Sequence, residues 1–168
     1  DSDMRLLVSA LTLFILASCG NYSFSGKSIP PNVKNAQLII FEDNSGRYDL
    51  SLPEILNENV IRQIESYNYF DIENSADADS KIYGTVVSYS ESVSSQTRDE
   101  DIDQMVISIS VEINFYNNVS QEYIVKQHRV SDSEYFMASG GDEERRSAFD
   151  ILIERISEKI VMALSSNW

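Results

Sequence analysis

The sequence predicts an α/β (α+β) two-layer sandwich, in which a mixed sheet of about four strands carries two helices on one face. Three observations predict this fold: a strictly alternating strand over 105–116 and two amphipathic helices, one on each side of it along the chain. The elements follow the order β-α-β-β-β-α. With 168 residues the chain can bury one core, and we assign a single domain to residues 36–168.

The first strand and helix are predicted from a run of apolar residues and a helix-start pattern. Residues 36–41 form a continuous apolar run with β-branched members, which predicts a strand buried on both faces. Ser51 is placed to cap a helix, with Glu54 as its capping-box partner and Pro53 in the first turn. Apolar residues at helical spacing then extend this helix to about Asn68.

Three strands and a helix follow. Alternating residues predict strands over 81–93 and 105–116, and residues 122–131 return as the second arm of a hairpin. The last helix begins near Asp142, because apolar residues recur at helical spacing up to Leu164. One side of the 105–116 strand is mostly polar, so we expect the sheet face away from the helices to meet water or a polar partner.

Composition limits the chemistry. The formal charge is −14, and removal of residues 1–18, which contain two aspartates and one arginine, leaves −13. This balance argues against nucleic acid as a partner and opposes docking on anionic lipid by charge alone. The single cysteine excludes an internal disulfide and a cysteine-cluster metal site, and a zinc site or a Ser-His-Asp relay would need the one histidine, His128. The sequence contains no catalytic constellation and no cofactor motif, so we expect that the protein is not an enzyme. The acidic residues of the stretch 99–103 are expected to be a solvated run of charges, and a cation site there is the weaker alternative.

The amino-terminal segment has the form of an export signal. After the extension 1–3, residues 4–19 read MRLLVSALTLFILASC, with one basic residue before an apolar stretch too short to span a bilayer. The sequence Leu16-Ala17-Ser18-Cys19 resembles the lipobox of bacterial lipoproteins. The resemblance implies that residues 1–18 are removed and that Cys19 is lipidated; a plain secretory signal or a short buried helix are the alternatives.

The segment after Cys19 indicates where such an anchor would lie. Residues 19–35 are polar and rich in Gly, Ser and Pro, which predicts an extended linker between anchor and domain. No aspartate follows Cys19, and by the same resemblance this disfavours retention at the inner membrane. We therefore expect the outer membrane, with the domain facing the periplasm.

Several stretches of the mature chain together resemble one family. They are Cys19 to Gly26 (CGNYSFSG), the following SIPPNVK at 28–34, FEDN at 41–44 and ADSKIYGTV at 78–86. In order and spacing they resemble the LptE-like lipopolysaccharide-assembly outer-membrane lipoproteins. The resemblance implies a protein that plugs an LptD-like β-barrel, supports its assembly and assists lipopolysaccharide insertion into the outer leaflet.

The resemblance also implies basic side chains that pair with lipid phosphates. The candidates here are Arg98, Lys126 and Arg129. The alternative function is a periplasm-facing accessory subunit or regulator of a secretion pore, a transporter or a cell-wall synthase. A group of aromatic residues could instead form a binding surface, but at their spacings we expect mostly core and sheet packing; they are Tyr67, Tyr69, Phe70, Tyr83 and Tyr89.

Overall fold

The computed structural model describes residues 29–47, 51–96 and 103–165. The predicted signal peptide, Cys19 and Arg98 lie outside these residues. The described chain is a mixed sheet with two helices, as the sequence predicted. The elements are β1 (Asn35–Leu38), β2 (Glu42–Asp43), α1 (Leu52–Tyr67), β3 (Asp71–Ile72), β4 (Ser80–Gln96), β5 (Asp103–Asn117), β6 (Glu122–Met137), a 3-10 turn (Ala138–Gly140) and α2 (Gly141–Ser165).

The sheet combines a short parallel part with a long antiparallel one. Its strand order is β3-β1-β4-β5-β6, and β2 pairs with β4 beyond the end of β1. β1 is parallel to β3 and β4, whereas β4, β5 and β6 form an antiparallel meander. The described sheet thus has six strands instead of about four, because β2 and β3 are two residues long and too short to leave a periodic pattern.

The core lies between the meander and the helices. The inward side chains of β5 are completely or almost completely buried, and residues from both helices pack in the same cluster. The β5 members are Ile107, Ile109, Val111, Ile113 and Phe115, and the helix members include Leu56, Ile64, Leu152, Ile156 and Ile160. Both helices therefore cover one face of the sheet and leave the opposite face uncovered.

The strand predicted over 36–41 is present only in its first part, and the prediction that it continues to residue 41 and is buried on both faces was wrong. β1 ends at Leu38, and Ile39 and Ile40 are 42% and 57% exposed before the chain rejoins β4 as β2. Phe41, which is 2% exposed, explains the interruption. Its ring lies against Gly84 of β4, where an added Cβ would come within 2.6 Å of Phe41 Cε1 and 2.4 Å of the Glu112 carbonyl oxygen. The chain bulges at 39–40 and places the ring over this glycine.

The bounds of α1 agree with the sequence, but its predicted capping box is absent. Ser51 precedes the helix in the left-handed region (φ 47°, ψ 35°) and makes no side-chain capping bond. A capping side chain reaches the first-turn N–H groups from an extended backbone, so this conformation turns the Ser51 hydroxyl away from them. The helix ends at Tyr67, and Asn68 closes it in the left-handed conformation, donating its N–H to the Glu65 carbonyl.

β6 is longer than the sequence indicated. It runs to Met137, whereas the alternation predicted an end near Ser131. Asp132 and Glu134 are on the side that faces α2, where Arg155 pairs with both of them. Because charged residues occupy these inward positions, the apolar period is lost before the strand ends.

Candidate interaction face

The sheet face that the helices leave uncovered is the candidate site. On β5 it carries the residues that alternate with the buried set, and all of them are partly exposed: Val106, Ser108, Ser110, Glu112, Asn114 and Tyr116. The strand register places residues of β4 and β6 beside them. We call this surface of β4, β5 and β6 the open face. Its polar character was predicted from the alternation in β5.

Serines occupy the middle of the open face in two rows across the three strands. Ser131 Oγ donates to Ser110 Oγ at 2.9 Å, and Ser108 Oγ and Ser133 Oγ are 2.8 Å apart. In β4, the register places Ser88 opposite Ser110 and Ser90 opposite Ser108. Because serine side chains are short, this region is a flat strip of hydroxyl groups, each able to donate and accept a hydrogen bond.

One end of the open face carries a group that we call the Tyr–Lys cluster: Lys81, Tyr83, Tyr116, Tyr123 and Lys126. The Lys81 ammonium lies 5.0 Å from the centre of the Tyr116 ring and 5.9 Å from that of Tyr83, and the Lys126 ammonium lies 5.3 Å from that of Tyr123. Tyr116 and Tyr123 meet edge to face at 5.1 Å. The electron-rich ring faces attract the cations, so the cluster holds two ammonium groups without a carboxylate.

Hydrogen bonding fixes the phenol groups of the cluster. The hydroxyls of Tyr83 and Tyr123 are 2.9 Å apart. Burial, and then this hydrogen bond, raise the pKa of Tyr83 to about 12. Its hydroxyl is therefore protonated at neutral pH and keeps its hydrogen on the cluster.

The charge of the open face is opposite to that of the whole chain. Among its described residues are three basic side chains, Lys81, Lys126 and Arg129, and one carboxylate, Glu112. Arg129 and Glu112 face each other at 3.5 Å and are both partly exposed. The chain as a whole carries −14, and Glu42 of β2 and Asp71 of β3 border the open face on the same side of the sheet. The open face is suited to a polar or anionic partner.

On the opposite face of the sheet, carboxylates form ion pairs with basic residues of α2. Arg145 donates to Glu91 through Nε at 2.9 Å and Nη2 at 2.6 Å. Arg155 donates to Asp132 at 3.0 Å and also pairs with Glu134, while Lys159 lies 3.0 Å from Asp132. Burial alone raises the pKa of Asp132, but hydrogen bonds from Lys159, the Ser133 N–H and Arg155 outweigh it and hold this pKa below its ordinary value.

The structure brings two of the three predicted lipid-contact residues to the same surface. Lys126 belongs to the Tyr–Lys cluster, and Arg129 lies on the open face against Glu112. Arg98 lies outside the described residues. Sequence reasoning did not identify Lys81 or the partners Tyr116 and Tyr123. The alternation of the three strands indicates that these residues share one face of the sheet. Only the strand register shows that they are neighbours, because it places Lys81 opposite Tyr116 and Tyr116 opposite Tyr123.

The aromatic residues singled out in the sequence have different positions. Phe70 and Tyr89 are buried, as expected for core packing. Tyr67 and Tyr69 stack on each other with ring centres 5.4 Å apart, and Tyr67 is 42% exposed. Tyr83 belongs to the Tyr–Lys cluster. The aromatic surface is thus formed by Tyr83 with two tyrosines that the sequence analysis did not group with it.

Two absences concern the described part of the chain only. Within residues 29–47, 51–96 and 103–165, no three His, Cys, Asp or Glu side chains are grouped so that they could hold a metal ion. Neither helix of these ranges has the length and apolar content needed to cross a membrane.

Comparison with known proteins identifies the fold. No protein-family model matches the chain. No curated protein matches it either. Among solved structures, a minor lipoprotein from Acinetobacter baumannii is 13% identical with a TM-score of 0.52, covering 81% of this chain and 93% of that one. The uncharacterized lipoprotein B from Nitrosomonas europaea is 9% identical with a TM-score of 0.56, covering 79% and 83%.

A third similar structure is an assembly. A PelC dodecamer from Paraburkholderia phytofirmans, in a form with one substitution, is 9% identical with a TM-score of 0.50, covering 84% of this chain and 95% of that one. These TM-scores show a common fold. Because the sequence identities are so low, the function has to be argued from the surface of this chain. The described domain has a fold that bacterial lipoproteins adopt.

Proposed function

We propose that this chain is a non-catalytic outer-membrane lipoprotein, anchored through Cys19 and facing the periplasm, that plugs an LptD-like β-barrel and supports its assembly. The observation that carries the proposal is the open face, a polar, weakly basic surface on the longest strands of an acidic protein. The lipobox-like sequence before Cys19 and the fold shared with bacterial lipoproteins support the anchor.

The open face has the shape and chemistry that a barrel interior requires. At about 3.3 Å per residue, the meander strands are roughly 50 Å long, and three strands about 4.8 Å apart make a narrow strip. The lumen of a large outer-membrane barrel is lined by polar side chains. The serine rows offer such a wall hydroxyl donors and acceptors without protruding side chains, so a close contact satisfies polar groups on both sides.

A direct contact with lipopolysaccharide is the finer part of the proposal. Ammonium groups pair with phosphates as point charges, and Lys81 and Lys126 are not held by carboxylates within the described chain. Arg129 is the weaker candidate because Glu112 already partly neutralises it. We therefore assign the phosphate contact to the lysines of the cluster and keep Arg129 as an accessory position.

Affinity purification from outer membranes tests the plug. The full chain is expected to recover a large barrel protein, and Ser110→Trp is expected to reduce its yield about tenfold, because a bulky side chain in the serine rows separates the two polar surfaces. Ser147→Trp, on the exposed side of α2, is the matched control and should leave the yield unchanged. Recovery of the intact chain without any barrel contradicts the proposal. Membrane retention of Cys19→Ala contradicts the anchor.

One observation favours the accessory-subunit alternative. The similar PelC structure is a dodecamer, so this fold can assemble into a complex of many copies. Native mass spectrometry of the detergent-extracted complex separates the two functions. A plug is expected as one copy with one barrel, whereas an oligomer of identical chains without a barrel favours a subunit of a pore or transporter.

A further inference from the structure

The chain enters the folded domain beside the Tyr–Lys cluster. In the register, Ala36 of β1 is opposite Ser80, the residue before Lys81. Asn117, the residue after Tyr116, donates its side-chain N–H to Asn32 Oδ1 at 3.5 Å. The segment that precedes β1 and the Tyr–Lys cluster therefore share one end of the sheet.

The linker limits how far this end can lie from a lipid-linked Cys19. Residues 20–34 join Cys19 to β1, and at no more than about 3.5 Å per residue they span at most about 50 Å. The far end of the meander lies roughly another 50 Å along the strands, since each strand residue adds about 3.3 Å. Lipid attachment at Cys19 thus keeps the Tyr–Lys cluster within reach of the head groups.

The side chains of the cluster are those that favour a membrane surface. Tyrosine is enriched at the boundary of membranes, where its ring meets hydrocarbon and its hydroxyl meets water. Lysine extends a charged group from an apolar stem and is attracted to lipid phosphates. Tyr123 is 44% exposed and Lys126 is exposed, so both are accessible from the open face.

The acidity of the chain restricts the contact to this patch. The carboxylates at the start of α2, from Asp142 to Glu144, are on an element that covers the opposite sheet face. Counter-ions screen charges beyond about 8 Å at physiological salt, so these groups act weakly across the sheet. Four carboxylates lie at the same end as the cluster and oppose any tilt that brings them to the surface: Asp77 and Asp79 in the loop before β4, Asp71 of β3 and Glu122 of β6. A patch of two lysines acts only when an anchor already holds it near the surface.

We propose that the Tyr–Lys cluster docks on anionic phospholipid head groups of the leaflet that holds the Cys19 anchor. This rests on the lipid anchor of the proposed function and adds a second membrane contact to it, at which a lipopolysaccharide phosphate would compete for the same two lysines. The serine rows, which begin about 20 Å further along the strands, are left for the protein partner.

Lysine footprinting tests the docking. The lipidated full chain is reconstituted in vesicles of phosphatidylethanolamine with phosphatidylglycerol, and separately in detergent micelles, and is treated with a water-soluble acylating reagent. Mass spectrometry is expected to show about threefold slower modification of Lys81 and Lys126 in the anionic vesicles. Lys159, on α2, is the internal control and should react equally in both.

Variants and wash conditions separate the outcomes. The Tyr123→Ser variant is expected to reduce the protection of Lys126 by about half. The matched control is Tyr69→Ser, which changes a tyrosine that stacks on Tyr67, and it should leave the protection unchanged. Equal rates in vesicles and detergent, with the chain retained after an alkaline wash, overturn the docking alone. Protection that appears only when an outer-membrane protein fraction is added assigns the cluster to a protein partner and also overturns it. Loss of the chain in the wash overturns the anchor and the docking together.

Discussion

Glu91 and Arg145 illustrate how single residues join α2 to the sheet. The guanidinium donates twice to the carboxylate, and the Tyr89 hydroxyl donates to it as well. The Glu91 side chain is 16% exposed. The hydrogen bonds from Arg145 hold the pKa of Glu91 below its ordinary value, although partial burial opposes them. Burial and the hydrogen bond to Glu91 raise the pKa of Tyr89, which therefore stays protonated as a donor.

This ion pair predicts a pH-dependent loss of stability. A carboxylate whose pKa is lowered in the folded state stabilises the fold above its unfolded pKa, and this contribution disappears as the pH falls through the folded value. We expect Glu91→Gln to lower the free energy of unfolding by about 1–2 kcal/mol at pH 7. At a pH well below 4 the variant and the parent should differ little.

Urea unfolding at the two pH values measures the effect. Glu154→Gln, on the exposed side of α2, is the matched control and should be neutral at both. An equal loss at both pH values would show that the Glu91 charge does not carry the contribution.

Individual residues also mark what the sequence could and could not predict. Lys126 was identified because basic residues are few in this chain. Lys81 was not, because its place in the cluster depends on Tyr116, which lies far from it in sequence. Ser51 shows the opposite error: its residue type matches a helix cap, but its left-handed backbone prevents the bond. A local motif specifies a residue type, whereas the conformation depends on the chain around it.

At the scale of elements, β6 is a sheet edge whose outward backbone is occupied by side chains. Arg155 Nη2 donates to the Ser133 carbonyl at 2.6 Å, and Lys159 Nζ reaches the Ser131 carbonyl at 3.4 Å. The Met137 N–H donates to Glu144 at 2.8 Å. An edge strand with unpaired backbone groups is a template for another strand. These contacts from α2 therefore protect the second half of β6 from strand addition.

Removal of the charged network should expose this edge. We expect the variant with Asp132→Ser, Glu134→Thr, Arg155→Met and Lys159→Met to self-associate, because the freed carbonyls can accept hydrogen bonds from a second β6 and no charge hinders it. Sedimentation velocity should show that the mean mass of this variant increases with protein concentration.

A charge-neutral pair of substitutions elsewhere on α2 is the control. Arg146→Met with Glu154→Thr changes exposed residues of the helix, and this variant should stay at the mass of the parent. If the four-residue variant also keeps the parental mass at every concentration, the contacts do not guard the edge.

The elements differ in how far the sequence predicted them. β5 was clear because its inward residues are all apolar and its outward ones mostly polar. The end of β6 was missed because Asp132 and Glu134 point to the core side and are neutralised there by Arg155. The interruption of β1 was missed because it depends on the fit of Phe41 over Gly84. The apolar period of a strand indicates that one of its faces is buried. It does not predict the strand where buried ion pairs place charged residues on the inner face, or where close packing interrupts the strand.

At the scale of the whole molecule, charge is unevenly distributed. The chain carries −14, yet the described open face has more basic than acidic side chains. Repulsion among the remaining carboxylates disfavours the compact state, and salt screens it. The position of this basic face follows from the order of the strands and could not be read from composition.

This distribution predicts that moderate salt stabilises the protein. An increase from about 10 to 150 mM sodium chloride shortens the screening length from about 30 to 8 Å. We expect the melting temperature at pH 7 to rise by a few degrees, as measured by calorimetry. Near the isoelectric pH the same change should have little effect. A fall in melting temperature at pH 7 would mean that screening of the ion pairs at α2 outweighs relief of the repulsion.

The meander also determines an order in which the domain can fold. β4, β5 and β6 are consecutive and pair through short connections, and α2 follows them directly. Loops that close over few residues lose little entropy, so this half can form a nucleus early. β1 reaches β4 only across α1, over about 45 residues, and must wait for a surface on which to dock. The segment nearest the proposed anchor at Cys19 is thus expected to fold last.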